Sequence, residues 1–301
     1  MTIRCWLCGS AANRLWKPRS LARPLEPKDL QITDARYGLT LSLRSCDACG
    51  FIFADDVEVR ELVALYERMA DAEYEETQNA RLLQMRWLLD AAKRTCPTAQ
   101  TWLDIGAGAG LLVREAQRQG MQATGVEPSR SLVEAGRRLH GVELQQGVFP
   151  HPALSGRTFD IILLIDVIEH VANPIELLRA CGEALSPAGR IIVVTPDVGS
   201  ALARVLGHRW SHFRLAHVGY FTRSTLSQCA EAAGLRPLKW ERARWFFEAG
   251  YLAVRLGAYL PLGWLNRRAS RWPVIGGLYR RVIPVNLHDS WTVYLGRPEA
   301  R

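Results

Sequence analysis

The chain has 301 residues, 48% of them hydrophobic and 23% charged, enough for a full core and balanced like an ordinary globular protein. Fibrous, collagen-like and wholly disordered chains are thereby excluded. Its net charge of +8 is unevenly placed: residues 201–301 hold 16 basic and 5 acidic side chains, net +11, against 22 and 25 in the first 200, net −3.

Thr2, Ile3 and Arg4 lead straight into Cys5 and Trp6 with no continuous apolar run, and seven cysteines are an odd number for a disulfide framework. Both features give the expectation of a reducing, cytoplasmic compartment. Cys5-Trp-Leu-Cys8 and Cys46-Asp-Ala-Cys49 are two C-x2-C pairs, each followed by a glycine, Gly9 and Gly50. Two thiolates two residues apart grip one tetrahedral ion only if the backbone turns sharply beneath them, which the glycines permit. Four thiolates would close the sphere of a structural zinc ion; the plainer alternative is four free or buried thiols. Leu39 to Leu43 alternates in strand fashion and is expected to lead into the second pair. Residues 1–55 thus read as a small zinc-ribbon-like module.

Residues 56–97 read as a helical lead-in, with apolar side chains at helical spacing through Leu62, Leu65 and Tyr66 and again through Leu82, Met85, Leu88 and Leu89. After Pro97 the pattern changes. Thr101 to Ile105 is a short buried strand that enters Gly106-Ala-Gly108-Ala-Gly110 and then a helix from Leu111. Gln122 to Val126 forms a second strand, followed by Glu127-Pro-Ser129, with Ser129 a cap for the next helix. This alternation is that of right-handed βαβ units in a parallel sheet.

A glycine loop lets a ligand approach a helix N-terminus, and Glu127, at the end of the second strand, can accept both hydroxyls of a ribose. Two details bear on the ligand. The dinucleotide pattern would place glycine where Leu111 stands, and Asp104 lies inside the first strand, where a negative charge suits a cationic ligand better than a pyrophosphate.

Leu103 to Gly110, Gly125 to Ser129, Phe159-Asp-Ile-Ile-Leu-Leu-Ile-Asp-Val-Ile-Glu-His170 and Leu185 to Pro196 resemble, in order and spacing, the motifs of class I S-adenosylmethionine-dependent methyltransferases. The run from Asp166 to Val171 is similar to the branch that contains ubiquinone-biosynthesis O-methyltransferases. The resemblance implies an α/β, Rossmann-like, seven-stranded sheet with helices on both faces, a cofactor-binding core over 98–243 and a substrate lid over 198–222. By the same resemblance Asp104, Gly106, Gly108 and Gly110 hold the methionine end of the cofactor, Glu127 the ribose, and Asp166 lines its wall. Where the family often has an acid for the adenine amine this chain has Gln146-Gly-Val-Phe149, so backbone groups and Phe149 are expected there instead.

Methyl transfer from a sulfonium requires an aligned nucleophile and a base for its proton, and a neutral imidazole suits a hydroxyl. His170 follows the fourth strand, and His217 lies in the aromatic-rich stretch from Arg209 to Thr222. These two are the candidate catalytic residues, with capping, packing or pinning the lid as their structural alternatives.

Residues 244–301 read as an amphipathic basic helical insertion and a last strand. Trp245 to Leu265 carries only Glu248 and Arg255 as charges, and Arg267, Arg268, Arg271, Arg280 and Arg281 follow. Such a segment fits peripheral contact with the inner face of a membrane through 245–283, or a homodimer or cap interface. Asn286 to Leu295 alternates again and is expected to be the last, antiparallel strand. The sequence reading is therefore a methyltransferase for a hydroxyl or carbon centre of a sugar, glycan or lipid-linked small molecule. A catalytically inactive zinc-containing adaptor and an NAD-dependent sugar enzyme are its alternatives. Nucleic acid is disfavoured, because the arginines alternate with long apolar stretches.

Overall fold

The computed structural model describes residues 2–33, 36–54, 61–71, 74, 78–257 and 281–298. Among these the main sheet has seven strands in the order β10-β13-β8-β7-β4-β5-β6. β4 (Thr101–Ile105), β5 (Gln122–Glu127), β6 (Gln145–Gln146), β7 (Phe159–Ile165) and β8 (Leu185–Pro196) run parallel. β13 (Ser290–Gly296) lies antiparallel between β8 and β10 (Arg236–Arg242), as expected for the last strand.

Strand alternation divides the core into two layers. Trp102, Ile161, Leu163 and Ile192 face the helices α2 (Gln78–Thr95) and α3 (Leu111–Arg118), packing on Leu89, Ala92, Leu112 and Val113. Leu103, Ile162, Leu164 and Val193 point the other way, toward Leu177, Leu178 and Cys181 of α5 (Pro174–Glu183) and Leu226 and Cys229 of α7 (Arg223–Ala232). Helices thus cover both faces, which is why β7 reads as a nearly unbroken apolar run. α4 (Arg130–His140) starts where Ser129 accepts the Leu132 N–H and ends at the left-handed Gly141.

The N-terminal strands form a second sheet: β1 (Asn13–Lys17), β2 (Leu43–Cys46) and β3 (Ile52–Ala54), completed by β9 (Gly219–Tyr220) from the far side of the chain. The module expected over 1–55 is therefore stitched into the core. The strand expected at Leu39–Leu43 begins only at Leu43 and carries the chain into the second cysteine pair. In the helical lead-in α1 (Leu62–Glu67) is separate from α2.

The expectation of helix from Trp245 onward is corrected over its first turn. Trp245–Glu248 is a strand, β11, antiparallel to β12 (Val282–Val285), and helix begins only with α8 (Ala249–Gly257). Three consecutive aromatics suit a pleated surface, and β12 supplies the partner that a helical spacing count cannot see. Residues 258–280, with Arg267, Arg268, Arg271 and Arg280 of the proposed membrane-facing run, lie outside the described residues. Among the described residues no helix is long and apolar enough to cross a membrane.

Candidate active site

A single cavity of about 1220 Å³ opens over the carboxyl ends of β4, β5 and β7, where open α/β sheets place their ligands. Its first pole is built by the glycine loop. Gly106, Gly108 and Gly110 all stand at positive φ, and a Cβ on Gly106 would come within 2.5 Å of Val167, one on Gly108 against the Tyr74 hydroxyl. At Gly106 and Gly108 only glycine meets both the backbone conformation and the close approach of Val167 and Tyr74.

Two carboxyl groups face that loop. Glu127, 5% exposed, accepts the Gly108 N–H at 2.8 Å and the Ser129 N–H at 2.9 Å. Asp104 is equally buried. Burial, with the neighbouring Glu127, pushes Asp104 up to about 8, and burial raises Glu127 to about 7 against its two N–H donors. Two buried acids side by side favour a ligand that brings positive charge. Asp166, just past β7, is held at φ +52, and its Oδ1 is buried without a hydrogen-bond partner; burial takes this group to about 7. Gly147, Phe149 and Pro150 close the rim beyond β6. An orphaned carboxylate, two acids and a loop whose Cβ positions are obstructed together fit the ribose and aminoacyl ends of S-adenosylmethionine.

The second pole lies across the cavity and brings His170 and His217 together from residues 47 positions apart, rings edge to face at 4.7 Å. His170 ends the single 3-10 turn Ile168–His170; its Nδ1 lies 2.9 Å from the Ala216 carbonyl and 2.6 Å from the Tyr66 hydroxyl. A proton on Nδ1 directed to that carbonyl leaves Nε2 as a free lone pair. His217 is 5% exposed and its Nδ1 has no partner. Burial lowers the pKa of His170 to about 4 and that of His217 well below its usual value, so both rings are neutral at pH 7.

Several residues at this pole were not singled out from sequence. Glu169, 1% exposed, accepts the Thr195 hydroxyl at 2.9 Å through Oε2 and leaves Oε1 unpartnered. Its position beside His170 was the available signal. His212 stacks over His217 at 6.1 Å, and its Nε2 lies 3.6 Å from Asp289 Oδ2, which also accepts the Trp210 indole N–H at 3.0 Å. Tyr66 sat in the helical spacing of the lead-in and read only as one of its apolar positions. Glu169, His170 and His217 also each offer a ligand atom, all within 4.8 Å of one another, so this pole has the donor set for a divalent ion as well as for a base.

The four predicted cysteine ligands converge. Cys5 and Cys49 sulfurs are 3.6 Å apart, Cys8 and Cys46 3.5 Å, and all four lie within 4.8 Å of one another. Sulfurs at about 2.3 Å from a tetrahedral zinc are separated by nearly these distances. Both knuckles close the same way: Gly9 N–H to Cys5 carbonyl and Gly50 N–H to Cys46 carbonyl, each 2.9 Å, both glycines at positive φ.

Residues 73–239, more than half of the chain, match a family model described as a methyltransferase domain. The ubiquinone biosynthesis O-methyltransferase of Vibrio cholerae serotype O1 is 25% identical over 164 residues, covering 51% of this chain and 66% of that protein. The enzyme of the same name from Azorhizobium caulinodans is 35% identical over 133 residues, 37% of this chain and 51% of its own. The chain thus spans about half to two thirds of the length of these curated relatives. Among solved structures, the plantazolicin methyltransferase BpumL in complex with SAH superposes with a TM-score of 0.48 at 17% identity, covering 81% of this chain and 91% of that one. The CcbJ methyltransferase of Streptomyces caelestis gives 0.47 at 14%, covering 78% and 96%.

Proposed function

The chain belongs to the methyltransferase-domain family, and from that premise we propose that it is an S-adenosylmethionine-dependent O-methyltransferase for a small molecule with an apolar or aromatic body, such as a lipid-linked acceptor. One observation carries this reading: one cavity joins the Asp104–Glu127 pole to the His170–His217 pole, and its wall also holds Trp6, Tyr66, Trp245, Phe246, Phe247 and Tyr251. A free sugar would leave that wall unsatisfied, whereas an aromatic or prenyl-like body buries against it. Relatives named for O-methylation support oxygen as the accepting atom.

S-Adenosylmethionine, when bound, supplies a methyl group on a sulfonium for in-line displacement. Asp104 and the glycine loop hold its aminoacyl end, Glu127 its ribose, and Phe149 packs at its adenine. The acceptor hydroxyl is oriented toward the loop by the opposite pole, where the neutral His217 Nδ1, with no other partner, would take the proton as the oxygen bonds to the methyl carbon and the carbon–sulfur bond breaks, its electron pair staying on the thioether sulfur that leaves. His170, tied to Ala216 and Tyr66, holds the adjacent edge of the pole. His217→Ala is expected to lower turnover of methyl-labelled cofactor by about a hundredfold or more while S-adenosylhomocysteine affinity stays near wild type. Unchanged turnover would remove His217 from the reaction.

The unpartnered Glu169 Oε1 and His217 Nδ1 favour a second reading of the same pole, a divalent ion that takes the acceptor hydroxyl as a further ligand. Turnover lost on EDTA dialysis and restored by Mg²⁺, at constant zinc content, would assign the pole to a cation. In the cysteine module the reading is one structural zinc held by Cys5, Cys8, Cys46 and Cys49.

A further inference from the structure

The cysteine module reaches the acceptor pole by more than one route. Trp6, between Cys5 and Cys8, lines the cavity directly, and its ring packs 5.3 Å from Phe53 of β3. Behind it Phe51, which follows the second knuckle and is fully buried, lies 5.0 Å from Phe221, just past β9.

The second route is through backbone. β3 pairs with β9, and the Ala54 N–H donates to the Val218 carbonyl at 2.7 Å. The Val218 N–H in turn donates to the Glu169 carbonyl at 2.8 Å. The residue after His217 is thereby clamped between the module on one side and the 3-10 turn bearing His170 on the other. Arg214 adds a third tie, donating to the Gln31 and Ile32 carbonyls at 2.7 and 3.0 Å. The cofactor pole is tied differently: Asp104 and Glu127 lie at the carboxyl ends of β4 and β5, whose ladders are to one another and to β7 and β6. Side-chain packing of Ile105 and Val126 in the core shared with Phe51 and Phe53 joins it to the module, and among the described residues no strand pairing does.

We infer that the four-cysteine module is the positioning element of the acceptor pole: an ion bound by Cys5, Cys8, Cys46 and Cys49 sets Trp6 and, through β3, the His217 segment, and leaves cofactor binding untouched. The knuckles are short turns whose four sulfurs converge, so the ion's binding energy orders them, and β3, which follows the second knuckle and pairs with both β2 and β9, carries that order onward. Val218 and its neighbours inherit that order through the β3–β9 pair. The inference rests on the functional reading above for the role of His217, and its test does not.

Hydrogen exchange by mass spectrometry on the full chain, with zinc content measured, needs neither cofactor nor acceptor. Removing the zinc with a strong chelator, with Mg²⁺ then restored so that the Glu169, His170 and His217 donors remain supplied, should speed exchange across 216–221 by about tenfold or more. Segment 103–113 should stay within about twofold, and S-adenosylhomocysteine affinity within about threefold. The His217 imidazole ¹⁵N signals, assigned with His217→Asn, should shift in step. Unchanged protection of 216–221 in metal-free protein would overturn the proposal, as would no zinc in protein purified without chelator. If chelation unfolds the whole chain, Cys8→Ser decides: Cys8 is exposed and belongs to neither β3 nor β9, so zinc lost from a folded chain with faster exchange at 216–221 upholds the strut, and zinc lost with unchanged exchange refutes it. Failure of S-adenosylhomocysteine to bind metal-replete wild type would sink the methyltransferase reading and leave this one standing.

Discussion

Asp104 and Glu127 hold their protons in the cofactor-free fold at pH values where an unfolded chain has lost them. Both are raised, to about 8 and about 7, chiefly by burial. The folded state therefore binds more protons than the unfolded state from about pH 4 upward, and this pair's contribution to stability falls as pH rises toward 8. A cationic ligand reverses the preference, because it needs the carboxylates. S-Adenosylhomocysteine affinity should thus rise between pH 6 and 8.5, with proton release in buffers of different ionisation enthalpy. A flat or falling profile would mean that these acids do not meet the ligand's ammonium. His170 and His217, lowered by burial, stay neutral across the same range and leave this limb of the profile to the carboxyl groups, Asp104 and Glu127 with Asp166 on the cofactor wall, which burial also raises to about 7.

At the scale of elements, the turn from β4 into α3 carries most of the site. Gly110 stands at φ +73, and a Cβ there would come 2.5 Å from Val142 and 3.3 Å from Leu144. Gly110→Ala should cost about 1–3 kcal/mol in denaturant unfolding and weaken cofactor binding along with it; a neutral effect would show the loop to be plastic. This part of the molecule was legible in sequence because it is local: strand, glycine loop, helix and acid follow within 27 residues of Thr101. The acceptor pole was only half legible. His170 and His217 were individually visible, but their meeting depends on isolated long-range bonds, Val218 N–H to the Glu169 carbonyl and His170 Nδ1 to the Ala216 carbonyl, which leave no periodic signal. Trp245–Phe247 shows the same limit, since three aromatics in a row satisfy either period until β12 is found beside them.

For the whole molecule, the uneven charge separates a slightly acidic body from a basic last third whose arginine run lies mainly beyond the described residues. The acidic body is the part that holds three buried carboxyl groups at the cofactor pole and its wall, Asp104, Glu127 and Asp166. The N-terminal module is joined to that body through shared sheet, so its metal is expected to matter beyond residues 1–55. Elemental analysis should find about one zinc per chain, lost together with tetrahedral thiolate coordination in a Cys8→Ser, Cys46→Ser double variant; zinc retained at full stoichiometry would place the ion elsewhere. The central claim is that the glycine-loop pole holds S-adenosylmethionine through Asp104. Calorimetry of S-adenosylhomocysteine against wild type and Asp104→Asn tests it most directly: one site per chain in the wild type, and at least about tenfold weaker binding in the variant, is the predicted result. No binding to folded wild type, or equal affinity in the two proteins, would contradict it.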